Sequence, residues 1–179
     1  MKHKLQLAST EEREGWQGEY EEECRVWAKE HQPAITALKA KLFAIAGDKL
    51  SPQPCYLVSE ITDYGQLIGL PVNLRRMEQV RCHHNVAWLW EQRKKRSKLK
   101  AIATGYALSE GGMWRPHSWG LTATHIVETT VGRLRYFGLS MNAEDADIFA
   151  ASFLIKAASE FSAKLEQLKL LRQPIEKRS

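Results

Sequence analysis

Most strand-forming residues of this chain are grouped in one block, residues 99–140, in which strands do not alternate with helices. Four short apolar segments make up the block, separated by turn-type residues such as those of "SEGG". They are "LKAIATGYAL" (99–108), "MWRPHSWGL" (113–121), "THIVETT" (124–130) and "LRYFGLS" (134–140). Since strands this close in sequence are most simply joined as hairpins, we expect an antiparallel meander within an α+β fold.

Helical periodicity precedes the strand block. Aromatic and apolar residues recur every three to four positions over residues 9–31, where Ser9 or Thr10 would be the N-cap. A second amphipathic segment covers residues 33–46, with Pro33 in its first turn. The short link between these segments predicts a helical hairpin.

A long amphipathic segment follows the strand block. Asn142 is expected to cap this helix, which would end near residue 172, and acidic residues fill its first turns. We therefore interpret the chain as a single domain with three parts. They are a helical hairpin (1–50), a core with the sheet (51–141) and a C-terminal helix (142–179).

The middle of the chain begins with a clear break, "SPQP" at residues 51–54. The next segment, "CYLVSEI" at 55–61, predicts a short strand. Residues 62–80 are rich in Gly, Pro and Asn, so we expect mostly loop, with one short helix after Asn73. A further helix is predicted over residues 82–96.

Cysteine use and hydropathy indicate the compartment. The three cysteines, Cys24, Cys55 and Cys82, are widely spaced and form no CxxC motif, so we expect neither a disulfide scaffold nor a four-thiolate zinc site. The N-terminus has no apolar leader segment, and nowhere do 18 apolar residues follow one another. We expect a cytoplasmic protein without a membrane span.

Charge is unevenly distributed along the chain. Seven glutamates lie between Glu11 and Glu23, whereas residues 93–100 carry six bases, and the net charge is +5. A basic run can attract nucleic acid, but a run at the end of a helix also complements the helix dipole, and no nucleic-acid motif accompanies it. We do not expect nucleic acid as a partner. Arg133 and Arg135 could face an acidic group, although a solvated turn and an edge strand are the favoured interpretation.

Three residues together suggest nucleophilic chemistry. Cys82 stands at the apparent start of a helix, where unpaired N–H groups and the helix dipole stabilise a thiolate. A cysteine nucleophile needs a base, and the base needs a group that holds its tautomer. A two-residue loop at Thr122 and Ala123 would place His117 directly opposite Glu128 on adjoining strands, within contact.

The order of four short motifs resembles a known family. The motifs are Cys82 at a helix start, "GY" at 105–106, "HSW" at 117–119 and "IVETT" at 126–130. This succession is similar to that of the transglutaminase-like core of the papain-like superfamily, where cysteine, Gly-Tyr, His-Ala-Trp and Asp-Pro-Thr follow one another. The resemblance implies a papain-like fold with Cys82 as nucleophile, His117 as base and Glu128 as orienting acid. Glu128 departs from the family's aspartate, and Ser118 from its alanine.

Further residues are candidates for the cleft. In such sites an oxyanion is held by the nucleophile's backbone N–H and by a side-chain amide, for which Gln79 is the first candidate and Asn85 the second. The two-residue loop would also set Trp119 opposite Ile126, where the indole would shield the histidine and the acid from water.

We therefore expect a cysteine-dependent hydrolase or acyltransferase that acts on a peptide, protein or small-molecule amide. It would be a protease or deamidase if water is the acceptor, and transglutaminase-like if an amine is. No cofactor is required, and the C-terminal helix is a candidate surface for pairing with a second copy.

Two alternatives remain open. The same fold could be a binding or assembly module with an inert site. Zinc could instead bind a set drawn from Cys82, His83, His84, His117 and His125. However, successive helical residues cannot all converge on one ion, and in the expected register His125 pairs with Gly120 and points away from His117. For the same reason His83 and His84 are not expected to be catalytic, although one of them could line the cleft.

Overall fold

The computed structural model describes residues 10–55, 57–93 and 98–155, with side chains from residue 18 onward. Five helices lie in these ranges: α1 (Thr10–Glu30), α2 (Gln32–Ile45), α3 (Val58–Tyr64), α4 (Cys82–Glu91) and α5 (143–155). Asn142 Oδ1 accepts a hydrogen bond from the Asp145 N–H at 2.9 Å, which confirms the predicted cap of α5. The rest of that predicted helix, and residues 94–97 of the basic run, lie outside the described residues. No helix within these ranges combines the length and apolar character that crossing a membrane requires.

Seven strands in the described part of the chain form one open, mixed sheet. They are β1 (Lys49–Leu50), β2 (Gln66–Leu67), β3 (Val72–Leu74), β4 (Ala101–Leu108), β5 (Met113–Leu121), β6 (Ile126–Glu128) and β7 (Arg135–Ser140). The strand order is β2-β7-β4-β5-β6-β3, and β1 also pairs with β5. The α+β prediction is confirmed, but a wholly antiparallel sheet is wrong, because β3 runs parallel to β6 and β1 parallel to β5.

The predicted meander is correct only for β4, β5 and β6. β7 does not continue beside β6 but returns to pair with β4, on the side away from β5. Gly105 and Gly138 lie opposite one another in this pair, and a Cβ on Gly105 would lie 2.5 Å from the Gly138 Cα and 2.2 Å from the Phe137 carbonyl oxygen. The "GY" motif therefore provides a glycine where two strands approach closely.

Replacing Gly105 by alanine tests this close approach. The added methyl group meets backbone atoms that cannot swing aside, so we expect the free energy of unfolding to fall by about 2 kcal/mol. Urea denaturation of both variants measures the effect, with Gly69→Ala as the control, because no atom lies within 4 Å of a Cβ added there. Equal losses in the two variants would show that close packing is not why position 105 is a glycine.

The predicted helical hairpin is wrong, because α1 and α2 run on as one bent helix. The His31 N–H donates to the Trp27 carbonyl oxygen at 3.0 Å, and the Ile35 N–H donates to the His31 carbonyl oxygen at 2.9 Å. Helical hydrogen bonds thus continue across the junction, where His31 has φ −104° and ψ 14°. Pro33 has no N–H to donate to the preceding turn, which accounts for the break in the helix without a reversal of the chain.

The segment before α4 also differs from the prediction. The strand predicted at residues 55–61 is wrong, because α3 begins at Val58, and Val58 and Ile61 are spaced to bury one face of this helix. The Thr62 hydroxyl donates to the Val58 carbonyl oxygen at 2.6 Å, one helical turn back. The helix expected after Asn73 is absent from residues 62–80, all of which are described, and β2 and β3 lie there instead.

Helices pack side by side on one face of the sheet. Ile61 of α3, together with residues of α2, belongs to the apolar cluster that contains Tyr106 of β4. Trp90 of α4, together with residues of α5, belongs to the cluster that contains Ile102 of the same strand. Ile102 and Tyr106 are four residues apart and so share a face of β4. The two clusters thus fix where α4 lies along the sheet.

One edge of β5 is left open between its two short partners. β1 pairs with the first two residues of β5 and β6 with the last two. In the described part of the chain, residues 115–119 consequently have a strand neighbour only on the β4 side. Pro116 suits this position, because proline within sheets is confined to edges. The N-terminus of α4 lies beside this open stretch, where His83 Nδ1 and Ser118 Oγ are 2.7 Å apart.

Candidate active site

Cys82 is the first residue of α4, and its side chain is 8% exposed on the wall of a cleft. The first backbone hydrogen bond of this helix runs from the Asn85 N–H to the Arg81 carbonyl oxygen, at 2.8 Å. The N–H groups before Asn85 therefore have no partner within the helix, and the sulfur lies at the positive end of the helix dipole. This is the position that the sequence predicts for it.

His117 connects the sulfur to an acid. Its Nε2 lies 2.8 Å from Glu128 Oε2, and both side chains are almost completely buried. His117 also lies beside the Cys82 thiol, and each of the two groups shifts the pKa of the other. Because Nε2 is bound to the carboxylate, Nδ1 is the ring nitrogen that remains for the sulfur. The structure thus brings together the three residues singled out from the sequence.

The register between β5 and β6 differs from the prediction by two residues. Leu121 pairs with Ile126, so the strands are joined by a four-residue loop and not by a two-residue one. Extending this register places His117 opposite Thr130, and Glu128 is then its diagonal neighbour. A shift of two residues keeps every side chain on its face, and diagonal neighbours remain within reach of long side chains. A glutamate, one methylene longer than an aspartate, suits this diagonal contact.

Glu128 is fully buried and accepts five hydrogen bonds. Its Oε1 accepts from the N–H groups of Thr129 and Thr130, at 2.8 Å each, and from the Thr130 hydroxyl at 2.9 Å. Its Oε2 accepts from the Tyr136 hydroxyl at 2.9 Å as well as from His117. Because every partner is a donor, only an ionised carboxylate satisfies all five.

The site stabilises charge on all three groups. Burial by itself would raise the pKa of the Cys82 thiol, but hydrogen bonds to His117 and His83, together with the positive charge of His117, lower it to about 5. Burial would lower the pKa of His117, but hydrogen bonds to Cys82 and Glu128 raise it to about 9. The pKa of Glu128 is lowered to about 2, because His117 and Thr130 outweigh its burial. Near neutral pH the site therefore holds a thiolate, an imidazolium and a carboxylate.

His83, which is not expected to be catalytic, is a second imidazole at the sulfur. A chain of donors orients its ring: the Thr104 hydroxyl donates to the His117 carbonyl oxygen, and the Ser118 hydroxyl donates to Thr104 Oγ1. Ser118 has no second proton, so His83 Nδ1–H donates to it, at 2.7 Å. Nε2 is then the nitrogen left for the thiol. Phe153 of α5 stacks on this ring, with centroids 5.1 Å apart.

The three predicted cleft residues have different positions. Gln79 lines the same cleft as Cys82. Asn85 does not, because its side-chain amide donates to the Glu78 carbonyl oxygen at 2.6 Å and so holds the loop before α4. Trp119 is fully buried and stacks against His117, with ring centroids 6.2 Å apart, so it shields the imidazole. The prediction that Trp119 lies opposite Ile126 is wrong, because Ile126 pairs with Leu121.

The cleft has a volume of about 320 Å³, which is within the range of small-ligand sites. Val80 stands on its rim, 98% exposed, with φ 57°. This left-handed conformation costs a β-branched residue about 1–2 kcal/mol. It turns the chain between Gln79 and Cys82, so that both residues line the cleft.

Sequence reasoning missed several residues of the site. Arg115 lies two residues before His117 on β5 and lines the cleft. The two-residue period of a strand could have identified it, because the two positions share a face. Thr130 lies two residues after Glu128, so the sequence could have predicted that its N–H and hydroxyl groups donate to the carboxylate. Tyr136 comes from β7, two strands away from β5, and no local pattern marks it.

The other two cysteines lie in different surroundings. Burial raises the pKa of Cys55, which is hydrogen-bonded to Tyr106. Cys24 is buried in α1 beside Tyr20. Neither of them is hydrogen-bonded to a histidine in the described residues.

The zinc alternative finds no geometric support in the part of the chain that the structure describes. No group of three or more His, Cys, Asp or Glu side chains there is arranged to hold a metal ion. His125 does not pair with Gly120 as predicted, because it lies in the loop between β5 and β6, where its backbone and ring contact Thr122.

Comparison with models of protein families, with curated proteins and with solved structures finds no match to this chain.

Proposed function

We propose that this protein is a cysteine-dependent hydrolase or acyltransferase that acts on an amide bond, built on a papain-like, transglutaminase-like core. One observation carries the proposal: the Cys82 sulfur, at the start of a helix, contacts His117, whose far nitrogen is held by buried Glu128. The cleft beside the sulfur gives a substrate access to it. The four motifs that resemble the transglutaminase-like core support the same proposal.

Acylation would begin from the thiolate. The Cys82 sulfur attacks the carbonyl carbon of the amide and forms a C–S bond, while the carbonyl electrons move to oxygen. The Cys82 N–H at the helix N-terminus and the side-chain amide of Gln79, which lines the same cleft, would hold this oxyanion. The C–N bond then breaks as the imidazolium of His117 gives its Nδ1 proton to the leaving amine, which yields a thioester.

In deacylation His117 would act as a base, whereas in acylation it donates a proton. Neutral His117 takes a proton from the acceptor, the acceptor attacks the thioester carbonyl, and the C–S bond breaks to restore the thiolate. Water as acceptor gives a carboxylic acid, as in a protease or deamidase, whereas an amine gives a new amide, as in a transglutaminase. Throughout, Glu128 keeps the imidazole oriented and stabilises its positive charge.

Selective alkylation of Cys82 with iodoacetamide at about pH 6 tests the proposal. A thiol with a pKa of about 5 is about 90% ionised there, against about 0.1% for a pKa of 9. The thiolate of lower pKa is also less nucleophilic, by about two orders of magnitude over this difference. We therefore expect Cys82 to react about tenfold faster than an ordinary thiol, and faster than Cys24 or Cys55, as measured by peptide mass spectrometry.

Turnover completes the test. A panel of peptide and small amides, with water or an amine as acceptor, should yield product with the native chain and none with Cys82→Ala, while Cys55→Ala retains activity. Slow, equal labelling of all three cysteines together with no turnover would favour the inert binding module instead.

A further inference from the structure

Two arginines share the cleft with the candidate nucleophile. Arg115 is contributed by β5, two residues before His117, and Arg133 by the loop between β6 and β7. None of the residues that line this cleft, all in the described part of the chain, is an aspartate or glutamate. With His117 protonated, the wall around the sulfur carries three cationic groups and no carboxylate.

Neither cleft arginine is paired within the described residues. Other arginines have acidic partners: Arg93 lies 2.8 Å from Asp147, and Arg81 lies 3.4 Å from Glu78. By contrast, no ion pair joins Arg115 or Arg133 to an acid of the described chain. The Nε of Arg133 is buried and has no hydrogen-bond partner there. A buried donor left unsatisfied is destabilising, and a bound anion would provide the missing acceptor.

Arg135 provides an internal comparison. It is exposed at the start of β7, donates to the Leu134 carbonyl oxygen and does not line the cleft. Arg135 is therefore solvent-exposed, as the favoured interpretation of the sequence expects, whereas Arg133 lines the cleft beside Cys82. β7 is not an edge strand, because β2 and β4 flank it.

We propose that the cleft selects an amide substrate that bears a carboxylate beside the scissile carbonyl, bound by Arg115 and Arg133, as in a peptide with an acidic residue next to the cleaved bond. The planar guanidinium group matches a carboxylate with two parallel hydrogen bonds. The proposal rests on the function proposed above, because it names the substrate of the same site.

Two alkylating agents of nearly equal size test the proposal without a known substrate. With either agent, the Cys82 thiolate forms a C–S bond, the C–I bond breaks and iodide leaves. Iodoacetate carries the carboxylate, whereas iodoacetamide carries a neutral amide. We expect the ratio of the iodoacetate rate to the iodoacetamide rate at Cys82 to exceed the ratio for free mercaptoethanol by about tenfold, since a cationic cleft concentrates anions.

Matched variants assign the effect to the two arginines. In Arg115→Gln combined with Arg133→Gln, the ratio should fall close to that of mercaptoethanol, whereas the iodoacetamide rate should change little. Arg135→Gln removes a nearby positive charge outside the cleft and should keep the native ratio. Circular dichroism establishes that each variant is folded, and the single variants serve if the double variant is not.

The outcomes separate this proposal from the function on which it rests. Slow iodoacetamide labelling of Cys82 would contradict the proposed enzyme itself. Fast iodoacetamide labelling with no preference for iodoacetate, or a preference that survives loss of both arginines, would overturn the carboxylate proposal alone. Amide panels with glutamate and glutamine at the position next to the scissile bond should then give the same preference in kcat/KM.

Discussion

Replacing Glu128 by glutamine is expected to lower the free energy of unfolding by about 3 kcal/mol. The side chain keeps its shape, but its NH2 group faces donors where an oxygen accepted hydrogen bonds, since all five partners of Glu128 donate. The loss also removes the charge that holds the His117 imidazolium. Urea denaturation near neutral pH measures the difference.

The dependence on pH gives this prediction a second readout. The pKa of folded Glu128 is about 2, below the 4.5 of the unfolded chain. The stability that its charge contributes is therefore present above pH 4.5 and is lost as the pH falls through 2. Glu128→Gln should lack that part of the acid dependence. Glu110→Gln, at an exposed turn, is the control and should match the native chain; equal stability of the two variants would contradict the account.

Replacing His117 by alanine is expected to reduce acyl turnover by about 1000-fold, because the site loses the group that donates and accepts the proton. The thiol pKa should also rise from about 5, since the largest of the interactions that lower it is removed. His83 remains beside the sulfur and still lowers the thiol pKa, but burial, the largest effect on this thiol, raises it and is no longer opposed by His117. The pH profile of Cys82 alkylation measures this shift.

The matched control for this variant is His125→Ala. His125 lies in the loop between β5 and β6, and its ring contacts the hydroxyl groups of Thr122 and Thr124. The His125→Ala substitution should leave both acyl turnover and the pH profile of Cys82 alkylation unchanged. An unchanged profile in His117→Ala would mean that His117 does not set the charge of the sulfur.

Local patterns predicted the parts of the fold whose causes are local. The cap at Asn142, the start of α4 at Cys82 and the strands β4 and β5 depend on neighbouring residues, and the structure agrees with them. The sequence predicts that Pro33 begins a second helix and does not predict a bend. A proline is equally compatible with the first turn of a separate helix and with a bend in a continuing one, and only the backbone angles of His31 distinguish the two structures.

The pairing of distant strands could not be predicted in the same way. β7 lies beside β4 because Gly105 and Gly138 allow close approach, which involves residues 33 positions apart. In the parallel pairing of β3 with β6, β6 lies within a predicted strand, but β3 lies in residues predicted as loop. Such short strands cannot be recognised in the sequence, because two or three residues are too few to show the alternation of apolar and polar side chains that is typical of a strand.

The candidate site was predicted better than the sheet that holds it. The error in register moved His117 and Glu128 from direct opposition to a diagonal, and the two-residue period preserved their shared face. The environment of Glu128 could not be foreseen, since the Tyr136 hydroxyl reaches it from a strand on the far side of β4. Helical geometry predicts that His83 is not catalytic, and the open edge of β5 lets it reach Ser118 while Cys82 reaches His117.

The ionisation of Cys82 in the native protein is the most direct test of the central claim, that a thiolate lies beside a histidine cation. It is followed by the ultraviolet absorbance of thiolate during a pH titration, with Cys82→Ala subtracted to remove the contributions of Cys24 and Cys55. A midpoint near pH 5 is the expected result. A midpoint near pH 9, the ordinary value for a thiol, would contradict the account.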